Sequence, residues 1–194
     1  MTFTPQSSCL LLIDLQARLM PAIAESVRVL DTARRLAETA RLLDISIYAT
    51  EQNRSGLGET VGALRSFALS TFQKMHFDAT RERAWMSFLP NDRDDIVVCG
   101  TETHVCVLQT VRGLLAQGRR VQVVRDAVGS RSADDRQAGL HSMERHGAEL
   151  VTSEMVAFGW LQTCDHPRFR DVLKIVKKVG REGQDNELQS TRVP

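Results

Sequence analysis

Short runs of Val, Ile and Leu alternate along the chain with longer stretches in which apolar residues recur every three or four positions. The short runs, at residues 9–13, 45–50, 96–99, 121–125 and 149–151, lack strict polar alternation, as strands covered on both faces do. A sixth, at residues 69–73, is weaker. Between the first two runs, Val27, Leu30, Ala33, Ala37, Ala40 and Leu43 set an apolar stripe on one side of a helix, and that stripe is expected against a sheet. Val107, Val111, Leu114 and Leu115 repeat the pattern before a stop at Gly118. Residues 134–145 form a third helix, with Leu140 and Met143 inward and Gly147 beyond its end. This alternation predicts an α/β chain in three layers, a mainly parallel, doubly wound sheet between helices.

The chain has 194 residues, 42% of them hydrophobic, enough for one core. One domain is expected over residues 1–179, followed by a flexible tail at 180–194, where the sequence is polar and aperiodic. Lys and Arg number 25 against 24 Asp and Glu, a net charge of +1, which leaves no bulk electrostatic case for nucleic acid or an anionic membrane as partner. No apolar run approaches the roughly 20 residues of a bilayer span. The N-terminal segment lacks the basic start and apolar stretch of a secretory leader, so a cytoplasmic setting is expected. None of Cys9, Cys99, Cys106 and Cys164 stands at Cys-x-x-Cys spacing, and all four read as reduced thiols.

In open parallel sheets ligands gather beyond the carboxyl ends of the strands. Three residues there can carry chemistry. Asp14 closes the first strand, where a carboxylate either caps the next helix or acts as a base. Lys74 lies just past the weak strand, as a solvated surface lysine or as a cation beside Asp14. Cys106 falls in the first turn after the run Val-Val-Cys-Gly-Thr-Glu-Thr-His-Val-Cys-Val at positions 97–107. There it is either a small core residue or a thiol whose anion gains from unpaired amides and the helix dipole. No spacing among His76, His104, His141, His146 and His166 suggests a metal site, and none is expected.

Taken together, the run Leu-Leu-Leu-Ile-Asp-Leu-Gln at positions 10–16, the Lys74 region with Phe77, and the 97–107 motif resemble the isochorismatase-like cysteine hydrolases, a superfamily that includes nicotinamidases and N-carbamoylsarcosine amidases. The resemblance covers residues 8–158 and is strongest to the isochorismatase-domain branch. It implies that Cys106 is a nucleophile, Asp14 its proton acceptor and later donor, and Lys74 the charge that holds the triad together. It also implies a cis peptide between Thr101 and Glu102 that aims the Glu102 and Cys106 amides into an oxyanion hole. Gln16 is a candidate substrate contact, Gln52 and Phe77 either line the pocket or pack in the core, and His104 is either a substrate contact or a structural hydrogen-bonding residue. The implied protein is a cofactor-free homo-oligomer acting on a small molecule.

Departures from the family pattern narrow this expectation. Residues 50–58 contain no histidine, so the Asp-x-His metal cluster of nicotinamidases is missing. Cys106 is present, which favours covalent cleavage of a C–N bond in an amide, imide or carbamoyl group over vinyl-ether hydrolysis. Leu19 stands where an aromatic residue is common, and Glu-Thr-His replaces Ala-Thr-Asp in the turn. A second reading treats the fold as a catalytically silent binding or assembly module. In that reading Phe158 and Trp160 are either exposed to pack against another subunit or ordinary core. A third, a redox sensor at Cys106, has no resolving cysteine close in sequence.

Overall fold

A computed structural model describes residues 3–177. Six strands run β1 (Ser8–Ile13), β2 (Ile47–Gln52), β3 (Ser70–Lys74), β4 (Asp95–Thr101), β5 (Arg120–Gly129) and β6 (Glu149–Val151). The helices are α1 (Ser26–Leu42), the single turns α2 (Arg54–Leu57) and α3 (Gly62–Arg65), then α4 (Leu108–Ala116), α5 (Ala133–Arg145), α6 (Ser153–Leu161) and α7 (Phe169–Lys177). The strands form one parallel sheet in the order β3-β2-β1-β4-β5-β6. The chain order reverses between β1 and β4, the switch point at whose carboxyl ends ligands gather in sheets of this kind. The expected boundary at residue 179 and the segment 180–194 lie outside the described residues.

Each face of the sheet carries its own core, which explains the unbroken apolar runs. Along β1, Leu10 and Leu12 join Ala33, Leu36 and Ala37 of α1 and Val156, Ala157 and Trp160 of α6. The alternate residues Cys9, Leu11 and Ile13 join Val111 and Leu114 of α4 and Leu140 and Met143 of α5. Helices on both faces of a parallel sheet give the three-layer α/β/α arrangement that the pattern predicts.

Several elements differ from the sequence reading. Val27 is 82% exposed, and the buried face of α1 runs instead through Val29, Ala33, Leu36, Ala37 and Ala40. Val27 sits in the first turn, before the helix meets the sheet. Trp160 is core at 1% exposure, and Phe158 on the other side of α6 remains 37% exposed. The strand expected from residue 45 starts at Ile47 and continues to Gln52, and β4 continues to Thr101. These extensions are polar at their ends and carry no apolar signal, yet they deliver residues to the switch point. No helix among the described residues is long and apolar enough to cross a membrane.

Gly100 fixes the closest approach in the sheet. Its φ is +141, and a Cβ there would sit 2.1 Å from the Ile13 carbonyl oxygen. Only glycine lets β4 lie this close to the end of β1.

Three thiols are sealed in these cores. Burial pushes Cys9 and Cys106 up to about 12 and Cys99 in the same direction, from an ordinary 9.0. The folded chain therefore keeps protons that the unfolded chain releases above pH 9. This stability is fully present below that pH and is lost as pH rises toward 12, by about 1.4 kcal/mol per pH unit per thiol. Urea unfolding under reducing conditions between pH 9 and 10.5 should show a shallower loss for Cys99→Ala than for the wild type. Equal slopes would overturn this assignment.

Candidate active site

Asp14 follows the last residue of β1 with left-handed backbone at φ 50, a region that Asp enters more readily than most residues. Its side chain is fully buried and accepts hydrogen bonds from Thr50 Oγ1 at 2.6 Å and Lys74 Nζ at 2.7 Å. The Thr101 hydroxyl donates to its main-chain oxygen at 2.8 Å, which joins the ends of β1 and β4. Lys74 closes β3, two strands away from β1. Two strand spacings come to about 9–10 Å, a gap that a lysine can cross.

Gln52, at the end of the intervening strand, fills the space beneath that reach. It pairs in register with Lys74, accepts from Lys74 Nζ through Oε1 at 2.7 Å, and donates from Nε2 to the Met75 carbonyl at 2.8 Å. The ammonium has longer contacts, 3.5 Å each, to the carbonyls of His76 and Phe77. Glu82 holds this loop by accepting from the Met75 and His76 amides at 2.7 and 2.9 Å, and those bonds draw its carboxyl down to about 2.

Cys106 lies between β4 and α4 in a single wide π-helical turn over Thr103–Val107. The Thr101–Glu102 peptide before it is cis, and the Val105 and Val107 amides both donate to the Glu102 carbonyl. The thiol is 6% exposed, with Sγ 4.0 Å from Gln52 Oε1. Burial pushes it up to about 12, the Asp14 charge adds to that, and Lys74 opposes it. Of the two readings left open for Cys106, burial weighs against an anion favoured by a helix start. The turn is π-helical and precedes α4, and desolvation outweighs the nearby cation, which favours the neutral thiol beside the ion pair.

The remaining candidates divide. Gln16 is fully buried, and its carboxamide bonds the Gln52 amide and carbonyl and the Gly58 carbonyl. It braces the end of β2, and these partners occupy its carboxamide. His104 Nδ1 is 3.0 Å from Ser130 Oγ and Nε2 is 3.9 Å from Asp135 Oδ2, so its ring is engaged by the segment leading into α5. Phe77 is 51% exposed on the loop over Lys74. Among the described residues, no three His, Cys, Asp or Glu side chains group in a way that could hold a metal ion.

Sequence reasoning missed the groups that support the 101–107 turn. Arg131 Nε donates to Glu102 Oε1 at 2.8 Å. Gly139 of α5 lies so close that a Cβ would be 2.9 Å from main-chain atoms of Thr103 and His104. Gly139 interrupts an otherwise regular helical pattern, and that was the available signal. Arg131 left none.

Lys74→Met is expected to lower the unfolding free energy by about 3–5 kcal/mol by leaving a buried charge unpaired, and adding Asp14→Asn should recover much of it. Urea titration of both proteins checks this, and additive losses would rule it out. Iodoacetamide labelling of Cys106, mapped apart from exposed Cys164, should still be rising at pH 10. A plateau below pH 9 would mean that the cation, not burial, governs the thiol.

The chain matches the isochorismatase domain family over residues 8–155. Over 174 residues it is 37% identical to isochorismatase domain-containing protein 2A of Mus musculus, covering 90% of this chain and 84% of the mouse protein. The solved structure of MAR1 ribonuclease from Caenorhabditis elegans is similar with a TM-score of 0.85 at 36% identity, over 91% of this chain and 92% of that one. The YcaC gene product of Escherichia coli, described as an octameric hydrolase of unknown specificity, shares the fold with a TM-score of 0.80 at 20% identity, over 92% and 97% of the two chains. The family match runs from β1 into α6 and the mouse relative aligns along nine-tenths of the chain, so this protein belongs to the isochorismatase family.

Proposed function

We propose that the protein is a cysteine-dependent hydrolase that cleaves a C–N bond in a small amide, imide or carbamoyl compound through a thioester on Cys106. The observation that carries this reading is the meeting of the Cys106 thiol with a buried Asp14–Lys74 pair at the carboxyl ends of β1, β3 and β4. Asp14 takes the Sγ proton as the sulfur–carbon bond forms, and the carbonyl oxygen becomes an oxyanion held by the Glu102 and Cys106 amides. Asp14 then gives that proton to the nitrogen as the C–N bond breaks. Water loses a proton to Asp14 as it adds to the thioester, the carbon–sulfur bond breaks, and Asp14 returns the proton to sulfur. Lys74 stays charged throughout and offsets whichever neighbour, carboxylate or thiolate, carries the negative charge.

A thiol at 6% exposure suits a small substrate. The working form in this reading is a cytoplasmic homo-oligomer; exposed Met75 and Phe77 offer apolar surface for assembly, and the E. coli neighbour is described as octameric. The test is a panel of primary amides, cyclic imides and carbamoyl amino acids, with single-stranded RNA as a further substrate because the C. elegans neighbour is named a ribonuclease. Turnover of a small amide that disappears in Cys106→Ala and falls at least about 10³-fold in Asp14→Asn, with a thioester mass trapped on Cys106 at acid quench, is the expected result. Turnover retained in Cys106→Ala would remove covalent catalysis.

A further inference from the structure

We infer that Gln52 is a positioning residue rather than a substrate contact, holding the Lys74 ammonium between Asp14 and Cys106 with an acceptor that carries no charge. The inference rests on Cys106 being the nucleophile. It starts from the orientation of one carboxamide. Gln52 Nε2 donates to the Met75 carbonyl at 2.8 Å, and a carbonyl only accepts, so Oε1 must face the other way. Facing it are Lys74 Nζ at 2.7 Å and Cys106 Sγ at 4.0 Å. Gln16 pins the main chain of Gln52 from both its amide and its carbonyl, and the residue is 8% exposed. Little of it is left to meet a ligand.

The choice of a neutral acceptor follows from the charges. The buried ammonium has two short acceptors, Asp14 Oδ2 and Gln52 Oε1. A second carboxylate at position 52 would satisfy it equally well. It would also bring another negative charge within reach of a sulfur that burial and Asp14 already oppose ionising. An apolar side chain there would leave the ammonium with one short acceptor and freedom to tilt. A glutamine avoids both outcomes. It keeps the cation fixed while the negative charge passes from Asp14 to sulfur in the proposed first step.

The test is the rate of Cys106 carbamidomethylation by iodoacetamide, followed by peptide mapping from pH 7 to 10. It is run on Cys164→Ser protein and on that protein carrying Gln52→Glu, Gln52→Met or Asp14→Asn. Circular dichroism and urea midpoints select the variants that fold. Gln52→Glu, which keeps the shape of the side chain, should slow labelling by about tenfold or more at pH 8 and move the whole pH profile upward, since one unit of pKa is tenfold in thiolate. Gln52→Met should slow it less and leave the profile shape closer to wild type. Unchanged rates and profiles in both Gln52 variants, with Asp14→Asn altered, would overturn the role of Gln52 alone. A rate that Asp14→Asn also leaves untouched would instead overturn the hydrolase reading beneath it. With an amide substrate in hand, Gln52→Glu should lower kcat with little change in KM. A raised KM at unchanged kcat would identify a substrate contact and sink the inference.

Discussion

A carboxylate and an ammonium, both wholly removed from water, meet at 2.7 Å across the width of β2, and the ends of four strands are arranged around that meeting. Burying either charge alone is expensive, and together they are tolerable only if their remaining hydrogen-bonding capacity is met. Thr50 meets the second carboxylate oxygen and Gln52 meets the ammonium. Thr101 ties β4 to the same point through the Asp14 carbonyl, at the place where Gly100 lets the two strands come together. The site is thus a consequence of parallel strands ending beside one another, with Asp14 after β1, Thr50 and Gln52 on β2, Lys74 on β3 and Thr101 on β4.

The thiol experiences this pair as two opposing influences on top of its own burial. Desolvation is the largest of the three and holds the thiol well above its ordinary range; the proposed cycle passes its proton to the Asp14 carboxylate beside it. An activated-thiolate design, with an exposed sulfur at a helix start, would need a different environment. In the proposed cycle one carboxylate, Asp14, is responsible for every proton transfer.

Support for the turn that carries Cys106 comes from the opposite half of the sheet. The segment between β5 and α5 engages Glu102 through Arg131 and His104 through Ser130, and Gly139 brings α5 against the main chain of Thr103 and His104. The half containing β1 to β3 supplies the ion pair and Gln52, while the half containing β4 to β6 supplies and braces Cys106. Their junction is the reversal of chain order between β1 and β4.

Much of this was legible from the residues. The strand and helix order follows from apolar periodicity, because burial on both faces leaves a continuous apolar run and burial on one face leaves a stripe. The three motifs that brought Asp14, Lys74 and Cys106 forward are local strings of sequence, and the structure brings those residues together. Strand ends were misjudged because Gln52, Lys74 and Thr101 are polar and pair through the main chain, which sequence periodicity does not record. Val27 was misread, and Trp160 was left open between surface and core, because apolarity alone does not say which side of a helix meets the sheet. Gln16 and Gln52 look alike in sequence, and only the tertiary structure decided that one braces the main chain while the other faces the ammonium. The upward shift of the Cys106 thiol belongs to the same level: desolvation depends on what surrounds a group in space, and the neighbours along the chain do not supply it.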